Sequence, residues 1–404
     1  TILIILLLAV TYGEAKKSSD DRQMDDFITS LMKKMTLEEK IGQLNLGGVG
    51  SPKVVGSAIG LDEAIRKGLV SSVGGFDAKA AEDAQKFAVE NSRMKIPLIT
   101  GLDVVHGYYT IFPIPLASAC SWNMPLLEES ARVAADEASA FGINWTFAPM
   151  VDICRDPRWG RIAEGAGEDP CLGSRIGRAM VRGFQGDDLS KPNTLLACVK
   201  HFALYGASEA GRDYNTVSMD PVTMYNYYLP PYKAAFDEGA GSGMTSFNVV
   251  NGVPATGNKW LLTDLLRDQW KFKGFMVSDA NSLAEMSEHG MGGAQRITEL
   301  AMNAGLDMDM SSSLYVLCLK KAVEEKRVPL SRIDPACRRV LEAKYKLGLF
   351  EDPFRYLKNK QRQSQVLSPQ NRDVARRLAA ESIVLLKNSE QLLPITPPRK
   401  IAVV

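Results

Sequence analysis

Residues 125–152 read P-L-L-E-E-S-A-R-V-A-A-D-E-A-S-A-F-G-I-N-W-T-F-A-P-M-V-D. The first part, 125–141, is amphipathic, with Pro125 at its start and Gly142 just past its end, the usual punctuation of a helix. The second part, 143–152, is a mostly apolar run that stops on a carboxylate, as a buried strand does when it reaches a loop. A helix that feeds such a strand is one unit of an α/β repeat.

The alternation extends in both directions. Strands are expected at 69–74, 97–105, 143–152, 195–202, 243–250, 274–278 and 305–308. Amphipathic helices are expected at 78–91, 125–141, 221–238 and 330–347. Strands alternating with helices predict βαβ units and a parallel sheet. Seven or eight units in roughly 340 residues suit a closed barrel, with a doubly wound sheet as the rival.

Composition narrows the function. The chain has 404 residues, 45% hydrophobic and 24% charged, which excludes wholesale disorder. Lys+Arg is 48 against Asp+Glu 47, so no bulk charge draws it to nucleic acid. The apolar run 2–10 would reach only about 14 Å as a helix, against a bilayer core of ~30 Å. It matches the apolar heart of a secretory signal, with a buried strand as the alternative. Residues 1–19 are therefore expected as a partial signal peptide, the mature chain as free of membrane spans, and the protein as periplasmic or secreted. The polar stretch that opens at Lys358 reads as a linker, 358–375, and 400–404 reads as a strand just beginning. The chain is expected to be a fragment: a barrel over 20–357, the linker, then the start of a second domain over 376–404. Six cysteines form no C-x-x-C pair and read as small hydrophobes; export would leave one disulfide open.

Polar residues gather where strands are expected to end: Asp103 and His106, Asp152, Lys200 and His201, Asn248, Asp279, Asp307 and Asp309. Singly, each could cap a helix or shape a loop. Together, carboxylates and cations at equivalent strand ends describe a polar pocket suited to a sugar. The three histidines, His106, His201 and His289, have no metal-binding spacing, and neither a P-loop nor a G-x-S-x-G elbow occurs.

Ordered motifs then carry a resemblance. They are M-T-L-E-E-K-I-G-Q-L (35–44), G-L-D-V-V-H-G (101–107), T-I-F-P (110–113), D-P-R-W-G-R-I-A-E (156–164), E-D-P (168–170) and K-H-F (200–202). F-N-V-V-N-G-V-P-A-T (247–256), L-L-R-D-Q-W-K-F-K-G-F-M-V-S-D (265–279), A-G-L-D-M-D-M (304–310), Y-K-L-G-L-F-E-D-P (345–353) and E-S-I-V-L-L-K-N (381–388) follow. The sequence resembles glycoside hydrolase family 3, of its bacterial periplasmic β-glucosidase type. The resemblance implies a (β/α)8 TIM-like barrel followed by an α/β sandwich domain, of which this chain holds the first elements. It implies a retaining hydrolase of terminal β-D-glucosyl residues, acting on oligosaccharides or glucosides. Asp279 would be the nucleophile, and Asp103, Arg161, Lys200, His201 and Arg212 would bind the sugar. Cations beside Asp279 would keep it ionised. Glu164, Glu168 and Asp169 read as structural. No organic cofactor or catalytic metal is implied, and a homo-oligomer stays open.

Two departures touch the pocket. Ala280 and Asn281 follow the nucleophile where relatives carry an aromatic residue or His, and Phe247 stands where the family often has Tyr. The family's acid/base glutamate lies in the second domain, beyond residue 404. The branch that lacks that domain uses Asp-x-His on the loop after K-H-F; here Asp213 is present, but Asn215 stands where the His would be. The chain is therefore expected to bind glucosides and to turn over ordinary ones poorly. A β-xylosidase, or a sugar-binding barrel without turnover, is the alternative.

Overall fold

The computed structural model describes residues 19–48, 60–74, 78–358, 360–397, 400 and 402. The expected signal peptide falls outside this range except for Ser19, and the expected final strand except for Lys400 and Ala402. Ten strands lie in the described residues: β1 (Asn45–Gly48), β2 (Ser72–Gly74), β3 (Ile99–Leu102), β4 (Trp145–Thr146), β5 (Cys198–Phe202), β6 (Ser242–Thr245), β7 (Val249–Val250), β8 (Val253–Pro254), β9 (Phe275–Val277) and β10 (Asp309–Met310). They form two parallel sheets, ordered β10-β1-β2-β3-β4 and β5-β6-β9, and a hairpin β7-β8. Single parallel pairs join Trp145 to Leu196, Met150 to Lys200 and Val277 to Met308. Helices supply the crossovers that parallel pairing needs. The fold is thus α/β with parallel sheets, as the sequence predicts.

The helices fall close to expectation where their ends are punctuated. Ala78–Asn91 matches its expected range, and Met124–Ala140 lies within a residue of it, with Asn123 accepting from the Leu126 N–H. Leu330–Lys346 also lies within a residue of its expected range. The expected helix over 221–238 is broken into Pro221–Thr223, Met224–Tyr228 and Pro230–Asp237. Pro230 and Pro231 lack the N–H that would continue the ladder.

Strands depart more. β1 carries two glycines and a buried Asn45, so its four residues show no strand-like pattern; its partners β2 and β10 decide it. Residues 143–152 pair continuously over two positions only, with a further single bridge at Met150. Residues 243–250 divide into β6 and β7, and β7 turns back at Asn251 (φ 47°) and Gly252 (φ 88°). An Asn-Gly pair with positive φ at both positions closes such a two-residue hairpin.

Both sheets share one apolar core. Leu46, Ile99, Trp145, Cys198, Met244, Phe275, Val277 and Met310, one or more from each of seven strands, meet in a single buried cluster. Trp145 is fully buried, sets its ring against Phe147 and Phe275, and donates from Nε1 to Ser242 Oγ at 2.8 Å. Cys154, Cys198 and Cys337 are buried as expected of small hydrophobes; Cys120 and Cys171 are exposed.

Segment 358–375, expected to be a linker, is held against this body. Arg362 reaches Asp136 Oδ1 (2.8 Å) and Ser139 Oγ (2.7 Å). Helix Pro369–Glu381 runs across the expected end of the linker and packs Val374 and Leu378 on Phe112, Leu126 and Leu127. The clasp is Glu137, almost wholly buried. Its Oε1 accepts from Leu367 N (3.0 Å), Asn371 Nδ2 (2.8 Å) and Thr110 Oγ1 (2.7 Å), and its Oε2 from Tyr109 N (3.0 Å) and Thr110 N (2.7 Å).

Burial pushes the Glu137 carboxyl up, but the donors from Thr110, Leu367 and Asn371 outweigh it and hold it below the usual value of 4.5. A depressed folded pKa adds stability above the unfolded value, which is lost as pH falls through the folded one. Glu137→Gln sets an amide N–H₂ against surplus donors. It is expected to lower the unfolding free energy by about 2 kcal/mol at neutral pH in urea titrations, with the two proteins converging below pH 4.5.

Candidate active site

The loops that leave β3, β4, β5, β6 and β9 at their carboxyl ends converge. Asp103 is the residue after β3, Lys200 and His201 lie within β5, and Asp279 stands two residues past β9. Lys200 is buried and donates from Nζ to Asp103 Oδ1 at 2.6 Å, while the Asp103 side chain is 60% exposed. The ammonium is thus held at the floor with a carboxylate facing outward, a pairing that presents donors and acceptors to hydroxyls.

Arg161 sits on the short helical turn Gly160–Glu164. Its Nε donates to Glu164 Oε1 (2.6 Å) and its Nη2 to Glu164 Oε2 (3.0 Å) and to His201 Nε2 (2.9 Å). Burial works against the guanidinium's charge, but Glu164 more than offsets it, so Arg161 is firmly protonated. Glu164 in turn is held below the usual carboxylate range by Arg161, against its burial.

Behind them, Asp152 accepts from the His201 backbone N–H (2.9 Å) and ring Nδ1 (2.8 Å), and pairs with the Tyr232 hydroxyl. Burial pushes the His201 ring far below its ordinary value, to about 3. Tyr205 lays its ring against His201, Trp159 and Phe247, and Arg161 lies over its face. Trp159 donates from Nε1 to Asp213 Oδ1 at 2.9 Å.

Asp279 is buried. Its Oδ1 accepts from the Ala280 N–H at 2.7 Å; its Oδ2 lies 3.5 Å from His201 Nε2 and has no hydrogen-bond partner. Burial raises its pKa, and Lys200, the Ala280 N–H and Arg161 oppose this only in part. The net direction is opposite to the one that cations alone would give, because desolvation wins in so closed a site.

The structure brings five of the six expected site residues together: Asp279, His201, Lys200, Asp103 and Arg161. Arg212 is exposed on the loop after β5, outside this network of side chains; its backbone N–H bonds Glu209 O. Asp307 and Asp309, grouped with the pocket by their position in the sequence, serve the frame instead. Asp307 is buried between Arg267 and Arg339, both at 2.6 Å, and Asp309 accepts from Ser312 Oγ and Tyr315 N. Glu164, read as structural, is the partner that holds Arg161. Asp152 stood out in the sequence as a strand-end carboxylate without a role. Tyr232 had no signal, since 80 residues separate it from Asp152. Among the described residues, no group of three or more His, Cys, Asp or Glu could hold a metal ion, and no helix is long and apolar enough to cross a membrane.

What such a pocket can hold is a polyhydroxylated ring, which points to a carbohydrate-acting domain. Comparison gives the family. Residues 36–343 match the Glycosyl hydrolase family 3 N terminal domain, and the chain belongs to glycosyl hydrolase family 3. It is 43% identical over 389 residues to a periplasmic beta-glucosidase of Salmonella typhimurium, covering 94% of this chain and 50% of that protein. It is 32% identical over 409 residues to a putative beta-xylosidase of Formosa agariphila, covering 95% and 54%. A crystal structure of a beta-glucosidase from Listeria innocua in complex with isofagomine superposes with a TM-score of 0.87 at 43% identity, over 92% of this chain and 52% of that one. The chain spans about half the length of the curated relatives it matches.

A carboxyl whose folded pKa is raised costs stability once ionised, and the cost vanishes below its unfolded pKa. Asp279→Asn is therefore expected to raise the unfolding free energy at pH 7 by about 1 kcal/mol. In thermal and urea unfolding the gain should shrink as pH falls towards 3.8, the ordinary aspartate value.

Proposed function

We propose that this chain is the barrel portion of a retaining β-glucosidase that removes terminal non-reducing β-D-glucosyl residues from oligosaccharides or β-glucosides. The observation that carries this is the unpartnered Oδ2 of Asp279, set among Lys200, Arg161 and His201. Asp279 attacks the anomeric carbon, the bond to the aglycone oxygen breaks, and water then releases glucose from the glycosyl ester. Asp103 and Lys200 grip hydroxyls, Arg161 donates to the ring, and Arg212, exposed on the loop after β5, is assigned a contact to the sugar. The leaving oxygen needs a proton from a carboxyl about 5–5.5 Å from the nucleophile. Glu164 is a poor acid because Arg161 holds it as an anion. We assign that role to a glutamate of the second, α/β sandwich domain of the family's architecture.

The frame proposed is a (β/α)8 barrel over 20–357, in which β1–β6, β9 and β10 close a ring. Support comes from the pairs that bridge β4 to β5 and β9 to β10, and from the core shared by both sheets. Residues 1–19 are proposed as a partial signal peptide, 358–375 as the interdomain segment and 376–404 as the start of the second domain. A periplasmic or secreted location is supported by the name of the Salmonella relative. A second reading, β-xylosidase, is favoured by the Formosa relative; the two sugars differ by one hydroxymethyl group.

The test is mass spectrometry after incubation with 2,4-dinitrophenyl 2-deoxy-2-fluoro-β-glucoside, whose leaving group departs without a proton. The expected result is a fluoroglucosyl label on the peptide that carries Asp279, absent in Asp279→Asn. Absence of label from a folded chain, or a label elsewhere, overturns the assignment. Faster labelling by the fluoroxyloside would favour the second reading.

A further inference from the structure

We infer that Asp152 fixes His201 in the tautomer that carries its proton on Nδ1, and that this leaves Oδ2 of Asp279 free of any protein donor, as the attacking atom. The inference rests on the reading of Asp279 as nucleophile and says which oxygen attacks and what keeps it available.

Two independent contacts give the tautomer. Nε2 of His201 lies 2.9 Å from Arg161 Nη2. A guanidinium only donates, so Nε2 must offer a lone pair. At the other end of the ring, Nδ1 lies 2.8 Å from Asp152 Oδ2, which already accepts the His201 backbone N–H at 2.9 Å. A proton on Nδ1 completes that acceptor. A proton on Nε2 would meet a donor at Arg161 and leave Nδ1 facing a carboxylate, two conflicts in a fully buried site. The Tyr232 hydroxyl stands against Asp152 Oδ1 and lies 2.8 Å from the His201 carbonyl oxygen. Either acceptor can take its single proton without changing the ring. Tyr232 thus holds Asp152 from behind, and Asp152 and Tyr232 act as positioning residues through His201.

The consequence is at Asp279. Nε2 of His201, with its bare lone pair, lies 3.5 Å from Oδ2, and Oδ2 is buried without a hydrogen-bond partner. The other oxygen, Oδ1, takes the Ala280 N–H. A carboxylate oxygen that accepts a hydrogen bond from the protein must weaken it to attack; one that accepts none keeps its lone pairs for the anomeric carbon. In the step, Oδ2 forms the bond to C1, the C1–leaving-group bond breaks, and its electron pair departs with the leaving group.

The experiment uses the whole chain with ¹⁵N-labelled histidine. There are three histidines, His106, His201 and His289, and the His201 ring signals are identified by their loss in His201→Gln. Correlation spectra of the ring nitrogens at neutral pH are expected to report Nδ1 protonated and Nε2 bare. An Nε2–H ring, or a doubly protonated one, overturns the inference in the wild type alone, whatever the fate of any variant. In Asp152→Asn the amide N–H₂ can face Nδ1, driving the proton to Nε2, where it displaces Arg161 and bonds Asp279 Oδ2. The expected outcome is the switched tautomer together with labelling of Asp279 by the fluoroglucoside slowed at least about tenfold. An unchanged tautomer or an unchanged labelling rate in that variant overturns the role of Asp152. A wild type that shows the Nδ1–H ring but takes no label on Asp279 breaks the nucleophile reading instead, and the assignment of Oδ2 falls with it.

Discussion

Arg161 holds a guanidinium between Glu164 and His201, and the donor-only character of that group orders the pocket. Glu164 neutralises it in a place where burial alone would oppose the charge. On its far side it demands a lone pair from His201, and that demand runs through the ring to Asp152 and on to Tyr232. The result is a chain of contacts that fixes the His201 ring in one state. Lys200 adds a second cation, anchored on Asp103. Between the two cations, Asp279 is desolvated enough that its charge is costly. Sites that hold a carboxylate this way store some of the free energy of folding as reactivity.

Much of this was legible from strand ends. Asp103, Lys200, His201 and Asp279 each close an apolar run, and a parallel α/β frame delivers such residues to one face. Arg161 was legible through its motif. The rest depended on distance in space. Glu164 looked like a loop-organising residue because nothing in R-W-G-R-I-A-E says that its carboxylate folds back on the arginine three positions earlier. Tyr232 sits on a helix, and Asp152 is the product of a bridge between Met150 and Lys200 that no local pattern announces. Asp307 and Asp309 erred the other way: A-G-L-D-M-D-M has the look of a strand end, but two arginines and a serine hydroxyl claim the two carboxylates.

The frame shows a similar division. The helix Met124–Ala140, with a proline near its start and a glycine past its end, was readable to a residue, whereas 221–238, marked the same way, is broken ahead of Pro230. β1 was not, because Asn45-Leu46-Gly47-Gly48 is a strand only by virtue of β2 and β10 on either side. The Asn251–Gly252 turn carried its own hairpin signal, and that signal was hidden by the apolar run on each flank. Segment 358–375 was legible only as a polar stretch. Its polarity suggests solvent, whereas Arg362 and Asn371 spend that polarity on partners across the surface of helix Met124–Ala140.

Glu137 gives that contact a mechanical meaning. One carboxylate receives the Thr110 loop and the 367–371 segment together, and the Thr110 loop begins seven residues after Asp103. Beyond residue 371 the hold is spread out: Val374 and Leu378 sit on Phe112, two residues from Thr110, and Arg377 pairs with Glu129. The 367–381 stretch is thereby part of the wall that backs the Thr110 loop.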